Sequence, residues 1–182
     1  HLDMVTQHLL QRRVGVLLGD GKAHFAPIAG ALMTFGYQPG AITLGDVDND
    51  GILDLGVASR EGEGEYVHIL LGDGKGGFRP VSESPFTASA SMATYKPSLR
   101  LIDVDEDGDL DIVTSNGRRN TIEILFGDGR GGFSPGPIVK LESGQEYYSF
   151  AIGDVDGDGH LDLVTASDAT VGGPCRVVTR RG

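Results

Sequence analysis

Hydrophobic residues along this chain come in short bursts. In one stretch they fall at about residues 41–47, 53–59, 66–71 and 78–84, each rich in Val, Ile, Leu or Phe and set off by Gly, Asp and Asn. Bursts of this length between turn formers read as β-strands. No segment sustains the 3.6-residue period of an amphipathic helix, so helices are not expected. The fourth burst of each set opens with Phe-x-Pro, at Pro27, Pro80 and Pro135. Proline has no N–H to give to a ladder, which places this run at the outer edge of its sheet. Glycine makes up 29 of 182 residues without a collagen-like period, as many tight turns between short strands require.

The bursts belong to a repeat. Asp46-Val-Asp48-Asn-Asp50-Gly51-Ile-Leu-Asp54 returns as Asp103-Val-Asp105-Glu-Asp107-Gly108-Asp109-Leu-Asp111 and again as Asp154-Val-Asp156-Gly-Asp158-Gly159-His160-Leu-Asp162. A second element, Gly-Asp-Gly leading to Phe, occurs at residues 19–25, 72–78 and 127–133. The N-terminus is in phase as well: His1-Leu-Asp3-Met-Val-Thr6 matches His160-Leu-Asp162-Leu-Val-Thr165, so the chain begins inside a fourth acidic loop. Four-stranded units of about 50 residues in tandem point to propeller blades; a β-sandwich of hairpins is the alternative.

The acidic loops have the chemistry of a hard-cation site. Ca²⁺ takes six to eight oxygens at about 2.3–2.6 Å. In a tightly curled loop, aspartates at positions 1, 3 and 5 converge. Glycine at position 6 permits the turn, position 7 offers its backbone carbonyl, and an aspartate at position 9 closes the shell. The expected metal residues are therefore Asp46, Asp48, Asp50, Ile52 and Asp54; Asp103, Asp105, Asp107, Asp109 and Asp111; and Asp154, Asp156, Asp158, His160 and Asp162. Three Ca²⁺ per chain follow. An EF-hand or dockerin-like loop needs an acid at position 12, where this chain has Val57, Thr114 and Thr165. Mg²⁺ fits less well, because it prefers a small octahedral shell and keeps its waters. Charge agrees: twelve of the 26 acids are the aspartates at positions 1, 3, 5 and 9, and the remaining 14 balance 15 Lys and Arg.

With these residues in view, the chain resembles tandem FG-GAP/VCBS-type repeats, the calcium-binding blades also found in the integrin α-subunit β-propeller. The likeness is carried by the three Asp-x-Asp-x-Asp-Gly-x-x-Asp loops, the Gly-Asp-Gly…Phe turns, and Phe35-Gly36 ahead of the first loop. It implies that each loop joins the first and second strands of a blade, on the face opposite the usual ligand surface. The pattern departs at the family's Gly-Ala-Pro element, replaced here by Val57-Ala58-Ser59, Val113-Thr114-Ser115 and Val164-Thr165-Ala166. The expected architecture is all-β: four-stranded antiparallel blades, about three and a half per chain, forming a partial or assembled propeller. One repeat domain would span 1–182, divided into a partial blade at 1–35, blades at 36–90 and 91–145, and a partial blade at 146–182.

Composition removes several functions. A net charge of −11 argues against a phosphate-tracking nucleic-acid binder, and no run approaches the ~20 apolar residues of a membrane span. Cys175 is the single cysteine, so no internal disulfide or cysteine-built zinc site can form. The chain opens on His1 without a signal peptide and reads as a trimmed chain or a piece of a longer one. None of the five histidines sits in a nucleophile motif, and Gly-Asp-Gly-Lys-Gly-Gly at 72–77 lacks the Lys-Ser/Thr of a phosphate loop.

Any further ligand should meet the face opposite the acidic loops, since successive hairpins alternate ends of a blade. Arg60, Asn116, Arg118 and Arg119, with Tyr37, Tyr95, Tyr147 and Tyr148, are the candidates; Tyr and Arg are favoured anchors. The same tyrosines would serve equally to cap the core between blades. The absence of tryptophan excludes a sugar site built on indole stacking. The expected role is a non-catalytic calcium-binding module for adhesion or ligand recognition, outside the cell or at its surface, the periplasm included, with a protein or glycan ligand. The alternative is part of a carbohydrate-processing propeller of lyase, hydrolase or lectin type. Strands counted from the half-blade at the start give fourteen, too few to seal a ring, so a homodimer of paired arcs is expected.

Overall fold

The computed structural model describes residues 1–8, 10–28, 32–61, 64–89, 98–116, 119–141, 146–168 and 176–180. It consists of four antiparallel sheets in chain order. The first holds β1 (Met4–His8) and β2 (Arg13–Gly19), with β3 (Phe25–Pro27) and β4 (Met33–Thr34) both on the far side of β2. The second runs β5 (Gln38–Gly45), β6 (Asp54–Glu61), β7 (Gly64–Gly72), then β8 (Phe78–Pro80) and β9 (Phe86–Ser89), both paired to β7. The third is β10 (Leu99–Ile102), β11 (Asp111–Asn116), β12 (Thr121–Gly127) and β13 (Phe133–Lys140). The fourth is β14 (Glu146–Gly153), β15 (Asp162–Asp168) and β16 (Arg176–Arg180). The described residues form no helix, and none of them supplies a helix able to cross a membrane.

The architecture is a partial β-propeller, with the sheets as its blades. Register repeats from blade to blade. Gly45 faces Asp54, Ile102 faces Asp111 and Gly153 faces Asp162, so each acidic loop closes the first hairpin of its blade. Gly19–Phe25, Gly72–Phe78 and Gly127–Phe133 close the third hairpin in the same way. Phe-x-Pro opens the outermost strand each time, as the missing proline N–H requires.

One expectation needs correction. The run at 78–84 is not one strand: it ends at Pro80, turns, and resumes as β9 at Phe86. Pro80 and Pro85 bracket the turn, and within it Ser84 N–H bonds to Val81 O at 3.2 Å. The first blade's outer strand is split likewise into β3 and β4, so sixteen segments make fourteen strands among the described residues.

Strand alternation sends successive side chains to opposite faces, and the two middle blades bury both. Val14, Leu55, Val57 and Leu70 fill the space between the first and second blades. Val47, Ala58, Val67, Ile69, Leu71, Phe86, Leu99, Ile112 and Leu125 fill that between the second and third. Val113, Ile122 and Phe150 lie between the third and fourth.

Candidate metal centres and the opposite face

Each acidic loop is built around three aspartates that accept backbone N–H groups. The position-9 residues Asp54, Asp111 and Asp162 start the second strand and are only 1% exposed. One oxygen of each accepts the position-2 N–H, from Val47 at 2.9 Å, Val104 at 2.8 Å and Val155 at 3.1 Å. The other oxygens of Asp54 and Asp111 accept Gly72 N–H at 2.8 Å and Gly127 N–H at 2.9 Å. Position 9 thus fastens the loop to the third strand of its own blade. Asp3 accepts Gly19 N–H at 2.9 Å in the same way, which places the N-terminus in the register its sequence indicates.

Position 1 shapes the curl. Asp46, Asp103 and Asp154 accept the N–H of Gly51, Gly108 and Gly159 at 2.8, 3.0 and 3.0 Å. Those glycines have φ of 84°, 96° and 92°, where a side chain is strained. Position 5 closes a local turn, Asp50, Asp107 and Asp158 accepting from Ile52, Asp109 and His160 at 2.8, 2.9 and 2.9 Å. The N–H of position 7 is thereby used, while its carbonyl remains the group that the spacing offers to an ion.

Carboxylate oxygens converge within 4.8 Å of one another in three trios: Asp46, Asp48 and Asp50; Asp103, Asp105 and Asp111; Asp154, Asp156 and Asp162. Asp54, Asp107 and Asp158 stand outside these trios. Burial raises the pKa of Asp54 and Asp111, and the nearby charges of Asp48 and Asp50, or Asp105 and Asp107, add to the rise. Asp154 is held below the usual carboxylate range by the Gly159 N–H. Three mutually repelling carboxylates suit a hard divalent cation, which would cancel the repulsion. The donor sets fit the metal that the spacing implies.

The expected ligand face lies at the other end of the blades. Arg60 sits near the far end of β6, paired with Glu65, and Asn116 ends β11 opposite Thr121. Asn116 is buried, and its Oδ1 accepts Arg119 N–H at 3.2 Å; Arg119 itself is exposed. Tyr37 is half-buried between the first two blades, its ring 3.8 Å from His68 and 5.0 Å from Phe35. Tyr147 and Tyr148 lie in β14, while Tyr95 and Arg118 are outside the described residues.

Two features escape the sequence pattern. His68 is buried with a ring nitrogen 2.7 Å from Ser59 Oγ, and desolvation lowers its pKa to about 4. Alternation along β7 puts His68 on the same face as Leu70, but its partner comes from a neighbouring strand. Loop position 4 has left-handed φ in every copy: 58° at Asn49, 63° at Glu106 and 81° at Gly157. In the loop pattern it counts only as a free position.

Residues 103–165, the acidic loop of the third blade through that of the fourth and into β15, match the FG-GAP-like repeat family model. The likeness to that family is shown for this segment of the chain. No sequence among the curated proteins matches it. Among solved structures it is similar to an Agrocybe aegerita lectin, described as recognising non-reducing terminal N-acetylglucosamine. Identity is 18% with a TM-score of 0.52, covering 96% of this chain and 52% of the lectin. The chain thus spans about half the lectin's length, and the likeness is one of fold.

Proposed function

We propose that this chain is a calcium-binding β-propeller module for ligand recognition or adhesion outside the cell, without catalysis of its own. The observation that carries the reading is the threefold convergence of carboxylates in loops fastened to their blades by a buried position-9 aspartate. Three Ca²⁺ ions would occupy them, held by the converging aspartates and by the carbonyls of Ile52, Asp109 and His160. Bound calcium removes the carboxylate repulsion and fixes one end of the last three blades, leaving the opposite end for a partner. Shallow, solvent-facing loops of this kind suit the 10⁻⁴–10⁻³ M affinities of extracellular modules.

A glycan is the favoured ligand class, supported by the lectin of similar fold. The polar side chains that interrupt the apolar cores, Ser59 and His68 on the second blade and Thr114 and Asn116 on the third, stand away from the acidic loops and toward that face. A glycan array probed in calcium and in chelator tests this. Calcium-dependent binding of a defined sugar end supports the reading, whereas depolymerisation of a polysaccharide by the purified chain would favour a carbohydrate-processing enzyme. Two arcs would pair end to end as a homodimer, and sedimentation equilibrium in saturating calcium should give twice 19.1 kDa.

A further inference from the structure

We infer that Asn49 is a positioning residue for the metal loop of the next blade, so that the loops of the second and third blades bind cations with positive coupling. This rests on the metal-loop reading above. Asn49 Nδ2 donates to Asp109 Oδ1 at 2.8 Å, joining position 4 of one loop to position 7 of another 60 residues away. The pair is seated over Gly129, where a Cβ would overlap the Asp109 carboxylate and lie 2.8 Å from the Asn49 amide. A second bond fastens the same loop: Gly131 N–H, in the third blade's outer turn, donates to Val47 O at 3.1 Å. Val47 is 2% exposed, and its own N–H is held by Asp54. Both neighbours of Asp48 are therefore tied to the third blade.

A cation that gathers Asp46, Asp48 and Asp50 fixes residues 47 and 49, and through Asn49 it fixes Asp109, whose carbonyl the loop spacing offers to the third blade's ion. The ordering cost is then met once for two ions, and the linkage is reciprocal. At the following joint the equivalent contact is weaker. Glu106 Oε1 and His160 Nδ1 stand 3.5 Å apart with side chains 62% and 65% exposed. No counterpart of the Gly131–Val47 bond is found among the described residues. Position 4 of the last loop is Gly157, which has no side chain to extend the series.

The test is a Ca²⁺ titration of ¹⁵N-labelled protein followed at the amides of Gly51, Gly108 and Gly159, one reporter per loop. Asp48→Ala should weaken the Gly108 site about three- to tenfold, the scale of one ordinary net hydrogen bond, and change the Gly159 site less than twofold. Asn49→Ala, with all first-loop carboxylates intact, should weaken the Gly108 site to a similar extent. Asp109→Asn still accepts the Asn49 amide and should retain the response to Asp48→Ala; Asp109→Ala should lose it. That pair also decides the matter if Asn49→Ala fails to fold. An unchanged Gly108 site in Asn49→Ala, with three ions bound, overturns the coupling alone. No binding at any reporter in the unmodified chain overturns the metal reading and the coupling with it.

Discussion

Between the second and third blades nine side chains are buried among the described residues, and the two outer strands clasp through Phe86 and Phe133, whose rings meet edge to face at 5.2 Å. Between the third and fourth blades, among the described residues, Val113, Ile122 and Phe150 reach that depth. A cavity of about 350 Å³ remains there, lined by apolar side chains such as Ile124, Val139 and Leu163. The sheets on either side of both joints come from the same repeat, so strand propensity does not explain the difference. The better joint is the one at which both blades have an outer strand; β16 is the last strand described in the fourth. Blade stacking, more than the blade itself, holds this arc together. Cores of this kind gain roughly 25 cal/mol for each Å² of apolar surface removed from water.

The largest effect should come from emptying the tighter joint. Leu99→Ala or Ile69→Ala, at side chains with no exposure, should cost about 3–4 kcal/mol, whereas Val113→Ala at the looser joint should cost about 1–2 kcal/mol. Urea unfolding of the three variants checks this, and equal losses would remove the distinction between the joints.

Next in size is the difference between an aspartate that builds a loop and one that serves an ion. Asp111→Ala leaves the N–H groups of Val104 and Gly127 without their acceptor and should cost about 2–3 kcal/mol even in chelator. Asp105→Ala, at an exposed position, should leave chelated stability unchanged or slightly raised, by relieving carboxylate repulsion, and lose stability only in calcium. Thermal melts with and without calcium separate the two.

A smaller effect belongs to the joint between the first two blades, where His68 stacks on Tyr37. Its folded pKa of about 4 lies below the ordinary 6.5 because burial disfavours the charged ring. The unfolded chain binds the extra proton first as pH falls. Stability should therefore be complete above pH 6.5 and decline toward pH 4, by about 1–2 kcal/mol between pH 7.5 and pH 5. Melts of the chain and of His68→Phe across that range give the slope, which the substitution should flatten.

Much of this was legible in the residues themselves. The acidic loops are local: ligand spacing, the obligatory glycine and the closing aspartate lie within nine positions, so the pattern names them without a fold. The outer strands were legible because proline cannot donate to a ladder, whereas the break between Pro80 and Phe86 was not. What stayed hidden is set by strand pairing and by stacking. Nothing near Asn49 names Asp109 as its partner, and nothing in β7 names Ser59 as the partner of His68. Position 9 was read as a metal ligand, while its prior task is to hold the backbone N–H groups of two other segments, which only the closed blade reveals. The bonds between neighbouring blades lie outside that local pattern.

Calorimetric titration of the calcium-stripped chain with Ca²⁺, backed by metal analysis of the dialysed product, tests the central claim most directly. The loops predict three ions per chain, with a melting temperature that rises as they fill. A stoichiometry near zero, with the same melting temperature in calcium and in chelator, would contradict it.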